Sequence, residues 1–153
     1  MGITKRNARF SDAALLLEWR NSQSAREFSQ NSEQIRVEEH LAWLSKRLEK
    51  IKFEPFYVFE LEHEPVGMSR LDNGFDSPEE FLISILVDPE QHSKGIGTTI
   101  LSTTCEAFFD LHPGYRIIAK VHQNNFVSQK LFANAGFELQ NSVGNFIFFK
   151  KTR

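Results

Sequence analysis

The sequence predicts one α+β domain built on a mixed sheet, and three observations carry that prediction. Aromatic and β-branched runs at 55–61, 65–71 and 81–87 follow one another through short connections, so these strands run antiparallel. A helical stretch then separates the run at 81–87 from another at 115–121, which makes that pair parallel. No repeat, linker or break in composition divides the 153 residues.

Residues 2–7 read as a first strand. Ser11 or Asp12 can cap a helix carrying Ala14, Leu15, Leu17 and Trp19. The polar segment that follows, to Glu33, reads as loosely helical, with Arg26 and Phe28 standing out. A clearer helix spans about 36–50, where Val37, Leu41, Leu44 and Leu48 recur every three or four residues as a core stripe. Beside it runs a second stripe, Arg36, His40, Trp43 and Arg47, that mixes cations with an aromatic ring. This stripe is either a solvated flank with Trp43 folded partly into the core, or a substrate wall with a ring to stack on and cations for an anion.

Glu62-His63-Glu64 turns the hairpin between the next two strands, with His63 facing solvent. Residues 72–79, with Asn73-Gly74 and Ser77-Pro78, form a loop. After the strand at 81–87, Pro89 halts the sheet ladder. Gly95-Ile96-Gly97 leads into a helix with apolar residues at 96, 100, 101, 105, 108 and 109, and His112-Pro113-Gly114 stops it. Asn124 or Asn125 caps a last helix, with Val127, Leu131, Phe132 and Ala135 facing inward and Gly136 at its C′ position. Segments 137–139 and 146–149 then pair as a final hairpin.

Net charge of −2 argues against nucleic acid or an anionic membrane as partner. No apolar run reaches membrane-spanning length and the N-terminus lacks the apolar core of a signal peptide, so a cytoplasmic protein is expected. The single cysteine, Cys105, excludes an internal disulfide and lies on an apolar helix face as a buried thiol. No metal site is expected.

The chemistry concentrates where strand 81–87 passes through a glycine turn into a helix N-terminus. The first amides of a helix have no intrahelical partner, and the macrodipole adds positive charge there. Glycines at 95 and 97 remove side chains that would hold a ligand off the backbone. That is a seat for a phosphate or pyrophosphate. Alone it does not decide the fold: a dinucleotide motif would have a third glycine where Ile100 stands, and a Walker A loop is absent. Glycines serving only a tight turn remain a competing reading.

Gln91-His-Ser-Lys-Gly-Ile-Gly after a strand, with Asn125-x-x-Ser128…Ala135-Gly136-Phe137 in the next unit, resembles the GNAT N-acyltransferase superfamily over nearly the whole chain. The resemblance implies a mostly antiparallel mixed sheet, splayed at its central parallel pair, flanked by about four helices, with acetyl-CoA in the split. The pyrophosphate would rest on the amides of Ser93, Lys94, Gly95, Ile96, Gly97 and Thr98. Pantetheine would pair with the backbone of Ile85, Leu86 and Val87, and Asn125 and Ser128 would serve the far side of that arm. Two departures stand out. His92 occupies a place where the family usually has Arg or Gln. Phe132 stands where a tyrosine often protonates the departing thiolate. That proton would then come from water or another group, or the thiolate would leave unprotonated, which a thiol pKa near ~8.5 allows.

The N-terminal half is similar to acetyltransferases of UDP-linked aminosugars in pathways to pseudaminic and related nonulosonic acids. Trp19-Arg20-Asn21, Arg26, Asn31-Ser32-Glu33, Glu39-His40-Leu41-x-Trp43-Leu44 and Arg70-Leu-Asp72 carry that similarity. Ribosomal-protein α-amine acetyltransferases share the Trp-Arg-Asn opening. The resemblance implies a small-molecule amine acceptor, a UDP-aminosugar, with Arg20, Arg26 and Arg70 as candidates for its diphosphate. His40 and Trp43 are candidates for the sugar. His40 is also the candidate base, with Glu80 second through water. Two alternatives stay open: acetylation of a protein N-terminus, and a catalytically silent acyl-CoA-binding module. The oligomeric state is open too, a homodimer included.

Overall fold

In the computed structural model, residues 2–91 and 95–153 are described. Seven strands, β1 (Ile3–Asn7), β2 (Phe56–Leu61), β3 (Glu64–Asn73), β4 (Glu80–Val87), β5 (Arg116–His122), β6 (Glu138–Val143) and β7 (Phe146–Lys151), form one sheet ordered β1-β2-β3-β4-β5-β7-β6. Around it lie α1 (Ala13–Arg20), the short α2 (Gln23–Glu27), α3 (Val37–Leu48), α4 (Ile96–Leu111) and α5 (Phe126–Asn134). This is the expected mixed α+β sheet with one parallel pair, β4 with β5.

That parallel pair closes for only part of its length. Glu80–Ile83 lie against Arg116–Ala119, yet β4 runs on to Val87 and β5 to His122. Meanwhile β4 stays paired with β3 as far as Val87, and β5 with β7 as far as His122. From Ser84 onward the two strands therefore diverge, and their facing edges have no ladder partner across the gap.

Strand alternation gives the sheet two different faces. On one, Leu16, Trp19 and Leu44 of α1 and α3 pack on Phe56, Val58 and Met68, with Leu86 at their margin. On the other, Leu101, Cys105, Phe108 and Phe109 of α4 pack on Leu71, Phe81, Ile83, Ile117 and Ala119. Cys105 is buried there, and loss of solvent pushes its thiol up to about 12.

Three helices depart from the sequence reading, each for a physical reason. A 3₁₀ turn at Phe10–Asp12 precedes α1, which buries Ala13, Leu16 and Trp19 and leaves Ala14 exposed. The Asp12 carboxylate does not cap α1; it takes Arg6 at 2.7 and 2.9 Å and the Arg9 amide at 2.8 Å. Burial works against its charge, but those hydrogen bonds prevail and hold it below its usual range.

The larger correction concerns α3. Its fully buried residues are His40, Leu44 and Arg47, whereas Val37, expected in the core, is 53% exposed. The helix has rolled its polar stripe inward. Arg47 is accepted because each of its nitrogens finds a partner: Asp72 Oδ1 at 2.7 Å and the carbonyls of Glu54, Pro55 and Leu71 at 2.8–3.1 Å.

In α5, Asn125 is the cap, its Oδ1 accepting the Ser128 amide at 3.2 Å. Val127 points outward rather than inward. Gly136 takes φ of 90°, letting the Phe137 amide reach back to the Phe132 carbonyl at 3.1 Å. No described helix is long and apolar enough to cross a membrane.

Candidate active site

The gap between β4 and β5 has two sides, and the sequence places different chemistry on each. On the α4 side, Gly95 adopts φ of 74°, a left-handed conformation that turns the chain directly into α4. Among the described residues no side chain caps that helix, and a turn-closing bond joins the Thr99 amide to the Gly95 carbonyl. The amides of Ile96, Gly97 and Thr98 are thus left without intrahelical partners. The Ile96 side chain is buried, while Gly97 is not forced by packing: a Cβ there would lie 3.7 Å from Val87 and Leu131. His92, Ser93 and Lys94 lie outside the described residues. Open edges at Ile85, Leu86 and Val87 and a left-handed glycine at a helix N-terminus fit a diphosphate joined to an amide-bearing arm. Asn125 and Ser128 lie at the start of α5, the helix that follows β5. Phe132 is buried among Phe137 and Phe149, with ring centres at 5.1 and 6.4 Å.

The opposite side, where the sequence reading put the acceptor, is built from α1, α3 and β3. Arg70 stands opposite Ser84 in register, at the point where the gap opens. Trp43 lies against it, and two guanidinium groups cover its ring: Arg20 at 4.2 Å and Arg70 at 5.0 Å from the ring centre. The indole is therefore a platform for arginines, partly folded against the core as one of the two sequence readings had it, rather than an open stacking surface. Arg70 donates to Asp72 Oδ2 at 3.1 Å, and the other oxygen of Asp72 holds Arg47. Burial, with Arg70 nearby, pushes Arg20 down to about 10.

His40 is only 1% exposed. Arg20 Nη1 donates to its Nδ1 at 3.0 Å, and its Nε2 lies 2.8 Å from the Ala13 carbonyl. Arginine can only donate, so Nδ1 accepts and the proton sits on Nε2: the ring is neutral. Burial lowers its pKa and Arg20 adds to this, against the Ala13 contact. With both nitrogens engaged, no lone pair is left to take a proton from an amine. That is a correction to the reading of His40 as base. Glu80 shares the Ser84 face but sits at the closed end of the gap, paired with Arg116 at 3.3 Å. Arg26 bonds the Ser32 carbonyl within its own loop and does not join the cluster around Trp43.

Asn21 and Phe28, with Gln30, Lys120 and His122, which the sequence reading passed over, complete this side. Asn21 clamps both ends of the loop between α1 and α3, giving its amide to the Ile35 carbonyl at 2.9 Å and accepting the Ile35 N–H at 2.7 Å. The loop crosses to β5, where Phe28 meets the His122 ring at 5.7 Å and Gln30 accepts from Lys120 at 2.6 Å. The signal was present in β5, where Ile118, Lys120 and His122 alternate with Ile117, Ala119 and Val121. Among the described residues, no group of three or more His, Cys, Asp or Glu could hold a metal ion.

Residues 3–138 match the family model described as an acetyltransferase (GNAT) domain. The chain belongs to this family. It is a GNAT-type, acetyl-CoA-dependent N-acetyltransferase. No functionally curated protein matches the sequence. Similar solved structures share the fold. An N-acetyltransferase from Staphylococcus aureus Mu50 is 22% identical, with 99% of each chain covered and a TM-score of 0.81. A ribosomal-protein-alanine N-acetyltransferase from Brucella melitensis is 22% identical, covering 98% of this chain and 99% of its own, with a TM-score of 0.81. The aminoglycoside acetyltransferase AAC(6')-Ib, in complex with coenzyme A and kanamycin, is 22% identical over 99% of this GNAT domain and 95% of its own chain, TM-score 0.83.

Proposed function

We propose that this GNAT domain moves the acetyl group of acetyl-CoA to the primary amine of a phosphate-bearing small molecule, a nucleotide-linked aminosugar. The observation that carries this reading is the charge around Trp43. Arg20, Arg47 and Arg70 gather there with one carboxylate, Asp72, between them. Positive charge in excess at the acceptor side favours an anion and repels an aminoglycoside, which carries several ammonium groups. The loop carrying Phe28 and Gln30 lies across the end of β5, which suits a small molecule better than an extended peptide.

In this reading the amides of Ile96, Gly97 and Thr98, with those of Ser93, Lys94 and Gly95, hold the coenzyme diphosphate. The open edge at Ile85, Leu86 and Val87 pairs with the pantetheine arm and offers N–H to the carbonyl oxygen as negative charge builds on it. Asn125 and Ser128 flank the arm. The bound coenzyme supplies an activated thioester. As the amine nitrogen bonds to the carbonyl carbon, the C–S bond breaks and its electron pair leaves on sulfur. Water takes the amine proton, because His40 is committed to Arg20 and Ala13 and Glu80 to Arg116. Phe132 has no proton to give, so sulfur departs as thiolate. Holding both reactants in the gap supplies much of the rate.

The deciding experiment measures acetyl-CoA turnover with UDP-aminosugars, aminoglycosides and short peptides bearing free α-amines. The UDP-aminosugars should give a kcat/KM at least tenfold above the other two. Efficient acetylation of peptides with sugar nucleotides ignored would overturn the reading in favour of protein α-amines. No turnover with any amine, despite acetyl-CoA binding, would favour a silent binding module.

A further inference from the structure

Arg20 is held in an unusual way for a largely buried guanidinium. Arg47 and Arg70 share the Asp72 carboxylate. Among the described residues, Arg20 has no carboxylate within ion-pair distance; its Nη1 is fixed by the neutral Nδ1 of His40. Taking a cation out of water without a counter-ion is unfavourable, and contact with the Trp43 ring offsets this only in part. An aspartate at position 40 could have accepted the same hydrogen bond and cancelled the charge. The imidazole fixes the guanidinium and cancels nothing. The orientation of the ring is itself secured from behind by the Ala13 carbonyl, across the interface of α1 with α3.

We propose that His40 is a positioning residue for substrate recognition: it pins Arg20 beside Trp43 through an uncharged acceptor, so that the full guanidinium charge is available to a phosphate of the acceptor substrate. Arg70, over the same ring, is the second fork. A diphosphate, with several oxygens to offer, matches two guanidinium forks better than a single carboxylate. The proposal rests on the acceptor-side reading above for its location. It does not depend on which amine is acetylated.

The test is therefore equilibrium binding rather than turnover. UDP is titrated by calorimetry into protein saturated with CoA, so that UDP cannot enter the coenzyme diphosphate seat. His40→Asn keeps a neutral acceptor near Arg20, and His40→Asp supplies a charged one. UDP affinity should stay within about threefold of wild type for His40→Asn and fall at least tenfold for His40→Asp, with CoA affinity and folding retained in both. Equal weakening in the two variants would reduce His40 to a structural role, and no UDP binding by wild type would overturn the anion site. A measurement on wild type covers the case of a variant that does not fold. Ring ¹⁵N shifts at pH 7 should report the neutral Nε2–H tautomer of His40 before and after UDP; a doubly protonated ring would overturn the proposal. If UDP binds as expected but UDP-aminosugars are not acetylated, the function proposed above fails while this assignment stands.

Discussion

Arg47 reaches from the inner face of α3 to Asp72 on β3 and bonds its Oδ1 at 2.7 Å, although it is only 6% exposed. Three backbone carbonyls complete its shell. This one side chain fastens the helix that carries His40 and Trp43 to the strand that carries Arg70. Arg47→Met should lower the unfolding free energy by about 3 kcal/mol, because buried acceptors and a carboxylate lose their donor. Urea unfolding checks this. A loss under about 1 kcal/mol would mean that water replaces the guanidinium.

Acid should weaken the fold through His40. Its pKa in the folded protein is lowered from 6.5 by burial and by Arg20, against the Ala13 contact, whereas the unfolded chain titrates near the ordinary value. Below that value the unfolded state binds more protons than the folded one, so stability falls as pH drops. Above it, the His40 contribution is present in full. His40→Asn should flatten the slope of unfolding free energy between about pH 7 and pH 5. An unchanged slope would show that other groups set the acid sensitivity.

The two glycines of the phosphate turn should separate fold from binding. Gly95 holds φ of 74°, so Gly95→Val should destabilise the protein by about 1–2 kcal/mol and weaken acetyl-CoA binding. Gly97 lies inside α4 with room for a Cβ. Gly97→Ala should raise the melting temperature slightly, as alanine favours helix by about 1 kcal/mol, while acetyl-CoA affinity falls. If calorimetry shows affinity unchanged in both variants, the diphosphate sits elsewhere.

Phe132→Tyr tests whether proton delivery to sulfur limits the reaction. The ring is packed against Phe137 and Phe149, and the proposed chemistry releases an unprotonated thiolate. Turnover should stay within about threefold of wild type. A hundredfold rise would show that protonation is the slow step in the native protein.

The strand, the left-handed glycine and the helix start at 80–97 were legible because their signals are local. A strand, a glycine turn and a helix N-terminus occupy consecutive residues, and backbone conformation follows from them directly. The acceptor side was legible only as a list of side chains. Arg20, His40, Trp43 and Arg70 were named, but which way α3 rolls depends on Asp72 and three carbonyls remote in sequence. Hydrophobic periodicity favoured Val37 for the core; a fully bonded arginine and histidine took that face instead. Lys120 and His122 were passed over because their meaning depends on a loop some 90 residues away in the chain, as the Lys120–Gln30 bond shows.

Cys105 carries a practical consequence for enzymology. The chain has one thiol, and burial both shields it and pushes it up to about 12, so almost none is thiolate at neutral pH. Released CoA has an ordinary, exposed thiol. Aromatic disulfide reagents can therefore follow product colour continuously in the presence of native enzyme, with negligible background from the protein and no inactivation by the detector itself. The same reagent added after denaturant should count one equivalent per chain, turning the silent cysteine into an internal standard for total chain concentration.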